Sequence, residues 1–82
     1  MFKIIFLKEE GCQSSIDFNA FFLYEVTKLD LAFEIIEKNE TPSNLIPKFF
    51  PYFFLLYNDE VVEEWGCVDK RKFLAVMKRN FK

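Results

Sequence analysis

The chain opens on Phe2-Lys3-Ile4-Ile5-Phe6-Leu7, a short, almost continuously apolar run rich in β-branched and aromatic residues. Such a run predicts a strand buried on both faces, the pattern of a central parallel strand. Gly11 breaks it, and Ser14-Ser15 followed by Asp17 is helix-start chemistry. From Ser15 to Lys28 the apolar residues Phe18, Phe21, Phe22, Val26 and Leu29 recur at helical spacing, which predicts a helix with a broad apolar face. Leu31-Ala32-Phe33-Glu34-Ile35-Ile36 predicts a second strand after a very short link. Thr41-Pro42-Ser43-Asn44 then opens a short helix, with Pro42 suited to its first turn and Pro47 limiting its length. Tyr52-Phe53-Phe54-Leu55-Leu56-Tyr57 predicts a third strand, and Asn58-Asp59 is turn chemistry. Val61-Val62-Glu63-Glu64-Trp65 follows at hairpin distance, so the third and fourth strands should pair antiparallel, with Gly66 ending the fourth. Asp69 stands where a helix N-cap belongs, and Phe73, Val76, Met77 and Phe81 give the last helix its buried stripe.

The order is βαβ, a short α, then ββα. A strand-helix-strand unit with so short a link predicts a right-handed parallel crossover. Adding the hairpin gives an α/β domain over residues 1–82: a four-stranded mixed sheet flanked by helices, with no internal repeat and no linker.

Composition makes one compact core credible at this length. The chain has 82 residues, 51% of them hydrophobic, with 12 Phe, 3 Tyr and 1 Trp. Aromatic side chains bury a large area each, which offsets the poor surface-to-volume ratio of a small domain. Charge and residue usage then remove function classes. A net charge of −2, from 11 basic and 13 acidic residues, argues against a nucleic-acid partner, since phosphate contacts need a positive surface. The absence of histidine removes hydrolases with an imidazole base and most zinc catalysis. Cys12 and Cys67 are too few and too far apart in sequence for a metal knuckle, so no metal site is expected. The opening residues are too short and end in charge too soon for a signal peptide. No apolar run reaches the roughly 18 residues of a membrane helix. The reading is a cytoplasmic protein with no membrane partner.

The remaining chemistry lies in cysteine and proline. Gly11-Cys12-Gln13-Ser14-Ser15 puts a thiol between the first strand and the first helix. There, unpaired backbone N–H groups and the positive end of the helix dipole favour a thiolate. Glu9 and Glu10 act in the opposite direction. Pro51, leading into an apolar strand, gives up a ladder hydrogen bond and needs a reason to be there.

In size and order of elements the chain resembles the minimal thioredoxin fold, as in glutaredoxins, over nearly its whole length. Three stretches carry the resemblance. Gly11-Cys12-Gln13-Ser14-Ser15 sits where the family keeps its redox motif. Phe50-Pro51-Tyr52-Phe53-Phe54-Leu55-Leu56-Tyr57-Asn58-Asp59-Glu60-Val61-Val62 looks like the stretch from the family's cis-proline into its terminal hairpin. Gly66-Cys67-Val68-Asp69 is similar to the glutaredoxin loop that holds the γ-glutamyl end of glutathione. The resemblance implies thiol-disulfide exchange with Cys12 as nucleophile and Gln13 beside it in the motif. Lys8 lies near the place of the lysine that often precedes the family's cysteine. Phe50 and Pro51 would align a substrate disulfide through a cis peptide, and Cys67, Val68 and Asp69 would hold glutathione.

The departures are as informative. Ser15 takes the place of the family's second cysteine, and the motif proline and aromatic are missing. The resemblance therefore implies a monothiol mechanism in which glutathione resolves the mixed disulfide. Family monothiol members can also share an iron–sulfur cluster, with glutathione as co-ligand. Cys67 either resolves a Cys12 disulfide or is inert, and Asp69 is either a glutathione contact or a helix cap. Lys70, Arg71, Lys72, Lys78, Arg79 and Lys82 form either a solvated face or a surface for an anionic partner. The alternative to an exchange enzyme is a redox-inactive thioredoxin-fold module that binds a partner protein.

Overall fold

The computed structural model describes residues 1–9, 13–43, 46, 47, 50–66 and 69–81, apart from the side chains of Ser14 and Ser15. The elements are β1 (Phe2–Lys8), α1 (Gln13–Lys28), β2 (Ala32–Glu37), a 3-10 turn (Lys38–Glu40), β3 (Tyr52–Tyr57), β4 (Glu60–Gly66) and α2 (Lys70–Asn80). The sheet order is β2-β1-β3-β4. β1 pairs parallel with β2 and antiparallel with β3, and β3 pairs antiparallel with β4. β1 is an inner strand, as expected, with Ile4, Ile5, Phe6 and Leu7 all buried; β3 is the other inner strand.

Two faces follow from the strand period of two. On one face Ile4 and Phe6 of β1, Phe53 and Leu55 of β3 and Trp65 of β4 meet side chains from both helices: Phe18, Phe22 and Val26 of α1 and Phe73, Val76 and Met77 of α2. The helices therefore cover the same side of the sheet. On the other face Ile5, Leu7 and Phe54 are buried with Ile36, Phe50, Tyr52 and Leu56 packed against them. The large core is an aromatic lattice. Phe6, Phe53 and Trp65 occupy matching register positions on three neighbouring strands. Their rings stack nearly parallel, at 4.7 Å and 11° for Phe6–Phe53 and 5.1 Å and 10° for Phe53–Trp65. The Trp65 ring is buried, and its Nε1 has no hydrogen-bond partner among the described residues.

Local chemistry sets the element ends. α1 closes on a Schellman pair, Leu31 N–H to Val26 O at 2.9 Å and Asp30 N–H to Thr27 O at 3.1 Å. That geometry puts Asp30 at φ 55°, a conformation usually given to glycine. Asn58 and Asp59, at φ 51° and 69°, make the two-residue hairpin turn expected of them. Asp69 caps α2, its Oδ1 accepting from Arg71 N–H at 2.9 Å and Lys72 N–H at 3.3 Å. At the other end of α2, Arg79 Nε donates to Glu63 Oε2 at 3.3 Å, and Arg79 Nη2 and Asn80 Nδ2 bind the same carboxylate, fastening the helix to β4.

One expectation needs amendment, and one short element is additional. α1 begins at Gln13, before Ser15, so the Cys-x-x-Ser stretch runs into the first turn of the helix. An additional 3-10 turn falls at Lys38–Glu40; Thr41 after it is extended at φ −68° and ψ 126°, and Ser43, in the stretch expected to open a short helix, has 3-10 geometry. β2 can run directly into that turn because Thr41 Oγ1 and N–H close it on Glu37 O and Lys38 O. Asn44, part of the expected helix opening, lies outside the described residues.

Candidate active site

Strand register brings the end of β1 with Lys8, the start of β3 after Phe50 and Pro51, and the end of β4 to one end of the sheet. β1 ends at Lys8, opposite Glu37 at the end of β2. Leu7 lies opposite Tyr52, the first residue of β3, and Tyr52 lies opposite Gly66, the last of β4. The connection carrying Cys12, the approach through Phe50 and Pro51, and the connection carrying Cys67, Val68 and Asp69 therefore all leave from that end. Cys12, Cys67 and Val68 themselves lie outside the described residues, as does the side chain of Ser15.

The peptide bond between Phe50 and Pro51 is cis. Phe50 is half-buried against the Ile5, Leu7 and Phe54 cluster, so its ring anchors the approach to β3 on the sheet face away from the helices. Tyr52 follows. Its hydroxyl donates to Glu64 Oε1 at 2.8 Å, and burial, reinforced by that carboxylate, raises the phenol above its usual range.

A charge cluster surrounds this end. Lys8 Nζ stands 3.4 Å from Glu37 Oε1, and Lys38 Nζ stands 3.9 Å from Glu9 Oε1. Lys38 also lies over the Phe50 ring, 5.5 Å from its centroid. The acid nearest Cys12 in sequence among the described residues is thus not an isolated charge: Glu9 has a cation facing it. Lys8, singled out as a possible contributor near Cys12, is engaged with Glu37, whose Oε2 is buried with no hydrogen-bond partner among the described residues. Gln13 sits at the exposed start of α1 and donates to Asp17 Oδ1 at 2.8 Å, a contact within the helix. Asp69 serves α2 as its cap. Glu37 and Lys38 had no distinguishing signal in the sequence. They belong to this end of the sheet because of the parallel register of β1 and β2, which no local pattern encodes.

No protein-family model and no curated protein matches the sequence. Solved structures do match. Thioredoxin f2 of Chlamydomonas reinhardtii superposes with a TM-score of 0.86 over 98% of this chain and 79% of its own, at 15% identity. The fold is thioredoxin-like. A thioredoxin f2 solved in complex with ferredoxin:thioredoxin reductase gives 0.87 over 99% of this chain and 78% of that one, at 17% identity. Thioredoxin 1 of the thermophilic eubacterium Thermosipho africanus gives 0.77 at 16% identity, with 96% of this chain and 92% of that chain covered. These likenesses span the thioredoxin-like sheet and both helices. Among the described residues, no helix is long and apolar enough to cross a membrane.

Proposed function

We propose that this chain is a thiol-disulfide exchange protein working by a monothiol mechanism, with Cys12 as nucleophile and glutathione as the resolving thiol. The observation that carries the reading is the register Leu7↔Tyr52. It sets the Phe50–Pro51 approach beside the end of β1, from which the chain runs to Cys12 and into α1. A sulfur at that connection would face the N-terminus of α1, where unpaired N–H groups favour the thiolate. The Lys38 cation facing Glu9 moderates the acid that would oppose it.

The Cys12 thiolate attacks the glutathione sulfur of a mixed disulfide, a Cys12–glutathione disulfide forms, and the substrate sulfur leaves as a thiolate that takes a proton. A second glutathione thiolate attacks that bond, releasing oxidised glutathione and restoring the Cys12 thiolate. Ser15 offers a hydroxyl where a resolving thiol would be needed, so the motif cannot close a disulfide on itself. Phe50 and Pro51 would align the substrate, and the segment from Cys67 to Asp69 would hold glutathione. A protein substrate is in keeping with a thioredoxin f2 solved on a protein partner of its own.

The test is alkylation rate against pH, each thiol followed by mass, in the wild type and in Cys12→Ser. A Cys12 midpoint well below the ~8.5 of a free thiol, together with glutathione-coupled reduction of a mixed disulfide lost in Cys12→Ser, is the expected result. A midpoint at or above that value, or a thiol that alkylates only after unfolding, overturns the reading and leaves a thioredoxin-fold binding module.

A further inference from the structure

Among the described residues, the lysines and arginines divide into two groups. Lys3, Lys8, Lys28, Lys38 and Arg79 each pair with a carboxylate. Lys70, Arg71, Lys72 and Lys78 have no carboxylate partner among the described residues, and all four belong to α2. Three of them occupy the first turn of that helix, which contains no acid. The helix dipole is positive there, so the cations oppose the helix they sit on. Late cations such as Lys78 suit the helix end they occupy; the three in the first turn do not, and of these Lys70 lies over the Phe21 ring, 5.3 Å from its centroid. α1 shows the ordinary arrangement, with Lys28 in its last turn.

The same helix leaves an apolar residue among these charges. Phe73, Val76 and Met77 are buried in the core, while Leu74 remains 43% exposed. Arg71 is three residues before Leu74 and Lys78 four after it, so the three share one exposed stripe.

We infer that the outer face of α2 is a docking surface for an acidic segment of another protein that carries an apolar side chain to set against Leu74. Charge complementarity selects the occupant. Unpaired cations flanking an apolar side chain match carboxylates flanking another. A nucleic acid fits less well, because the chain is net negative and exposes Asp59 and Glu60 on the hairpin. A membrane surface needs a broad apolar face to insert, and α2 spends its other large apolar residues on the core.

The probe is a capped peptide of Glu and Gly with one central Leu, titrated into isotopically labelled protein at low salt and at physiological ionic strength, with amide shifts as readout. Shifts should concentrate on 70–78 and weaken with salt. A matched peptide with Ala in place of Leu should bind about fivefold more weakly, and Leu74→Ala should erase that difference. The double variant Arg71→Glu, Lys78→Glu should bind more than about tenfold more weakly. Its folding is checked by circular dichroism, and Glu at 71 suits the helix dipole. Cys12→Ser should bind unchanged, which separates this surface from the exchange chemistry. Equal binding of the Leu and Ala peptides, shifts away from α2, or tighter binding to a DNA duplex or to phosphatidylserine vesicles overturns the inference. Self-association abolished by the double variant overturns it in favour of a second copy of the chain.

Discussion

Phe53 and Trp65 lie face to face across β3 and β4, 5.1 Å between ring centroids and 10° between planes, with Phe6 stacked on the far side of Phe53. The stack exists because register puts one aromatic at the same level of three adjacent strands. It ties both antiparallel pairings to the helical face, since Phe18 and Phe73 approach Phe53 edge-on. Phe53→Ala should cost about 3–5 kcal/mol, a large part of the stability of a domain this small. Trp65→Phe should cost much less, because it keeps the stacked ring while removing a buried N–H that lacks a partner among the described residues. Urea unfolding followed by circular dichroism checks both. A Trp65→Phe cost equal to that of Phe53→Ala would refute the argument.

Asp69 caps α2 through Arg71 N–H and Lys72 N–H. Asp69→Ala should therefore lower stability by about 1 kcal/mol, while Asp69→Ser should restore most of it. The same pair of variants tests the glutathione role. If Asp69 acts on the exchange only by capping, Asp69→Ser also restores the rate of glutathione-coupled reduction.

Asp30 closes α1 at φ 55°. A side chain with a Cβ is disfavoured there, so Asp30→Gly should raise stability by up to about 1 kcal/mol, net of the greater freedom of glycine in the unfolded chain. Thermal unfolding reads it directly. A fall in Tm would mean that the Asp30 side chain contributes more than its backbone costs.

Glu63 and Tyr52 give the molecule opposite pH dependences. The hydrogen bond from Arg79 holds the Glu63 carboxyl below its usual range, against the opposing pull of burial. A lowered carboxyl stabilises the fold above the unfolded-state value, and that contribution is lost as pH falls through the folded value. The Tyr52 phenol, raised chiefly by burial, contributes below the unfolded-state value and loses its effect as pH rises through the folded one. Glu63→Gln should thus lower Tm at neutral pH and match the wild type in acid. Tyr52→Phe should narrow the loss of stability on the alkaline side. Parallel Tm profiles for variant and wild type would contradict the assignment.

Lys38 faces Glu9 and covers the Phe50 ring. Lys38→Met should raise the alkylation midpoint of Cys12, because it leaves the Glu9 charge unopposed, and Glu9→Gln should lower it. Shifts of the same sign in the two variants would exclude this electrostatic account.

The hydrophobic pattern by itself determined that the chain makes four strands and two long helices, and that the first strand lies inside the sheet. A run buried on both faces, such as Ile4 to Leu7, is visible in one dimension, as are the hairpin turn at Asn58-Asp59 and the cap at Asp69. Each is a local matter: side-chain period, left-handed backbone, or an oxygen within reach of the amides two and three residues on. Tertiary structure alone decided what meets what. The parallel register of β1 on β2 brings Glu37 and Lys38 to the end of the sheet where Lys8 and Phe50 lie, and no spacing in the sequence predicts a partner so many residues away. Likewise, a run of basic residues in the last helix looks like any solvated face until the cations described elsewhere in the chain are seen to be paired. Ion pairing depends on distance in space, and only the folded chain fixes those distances.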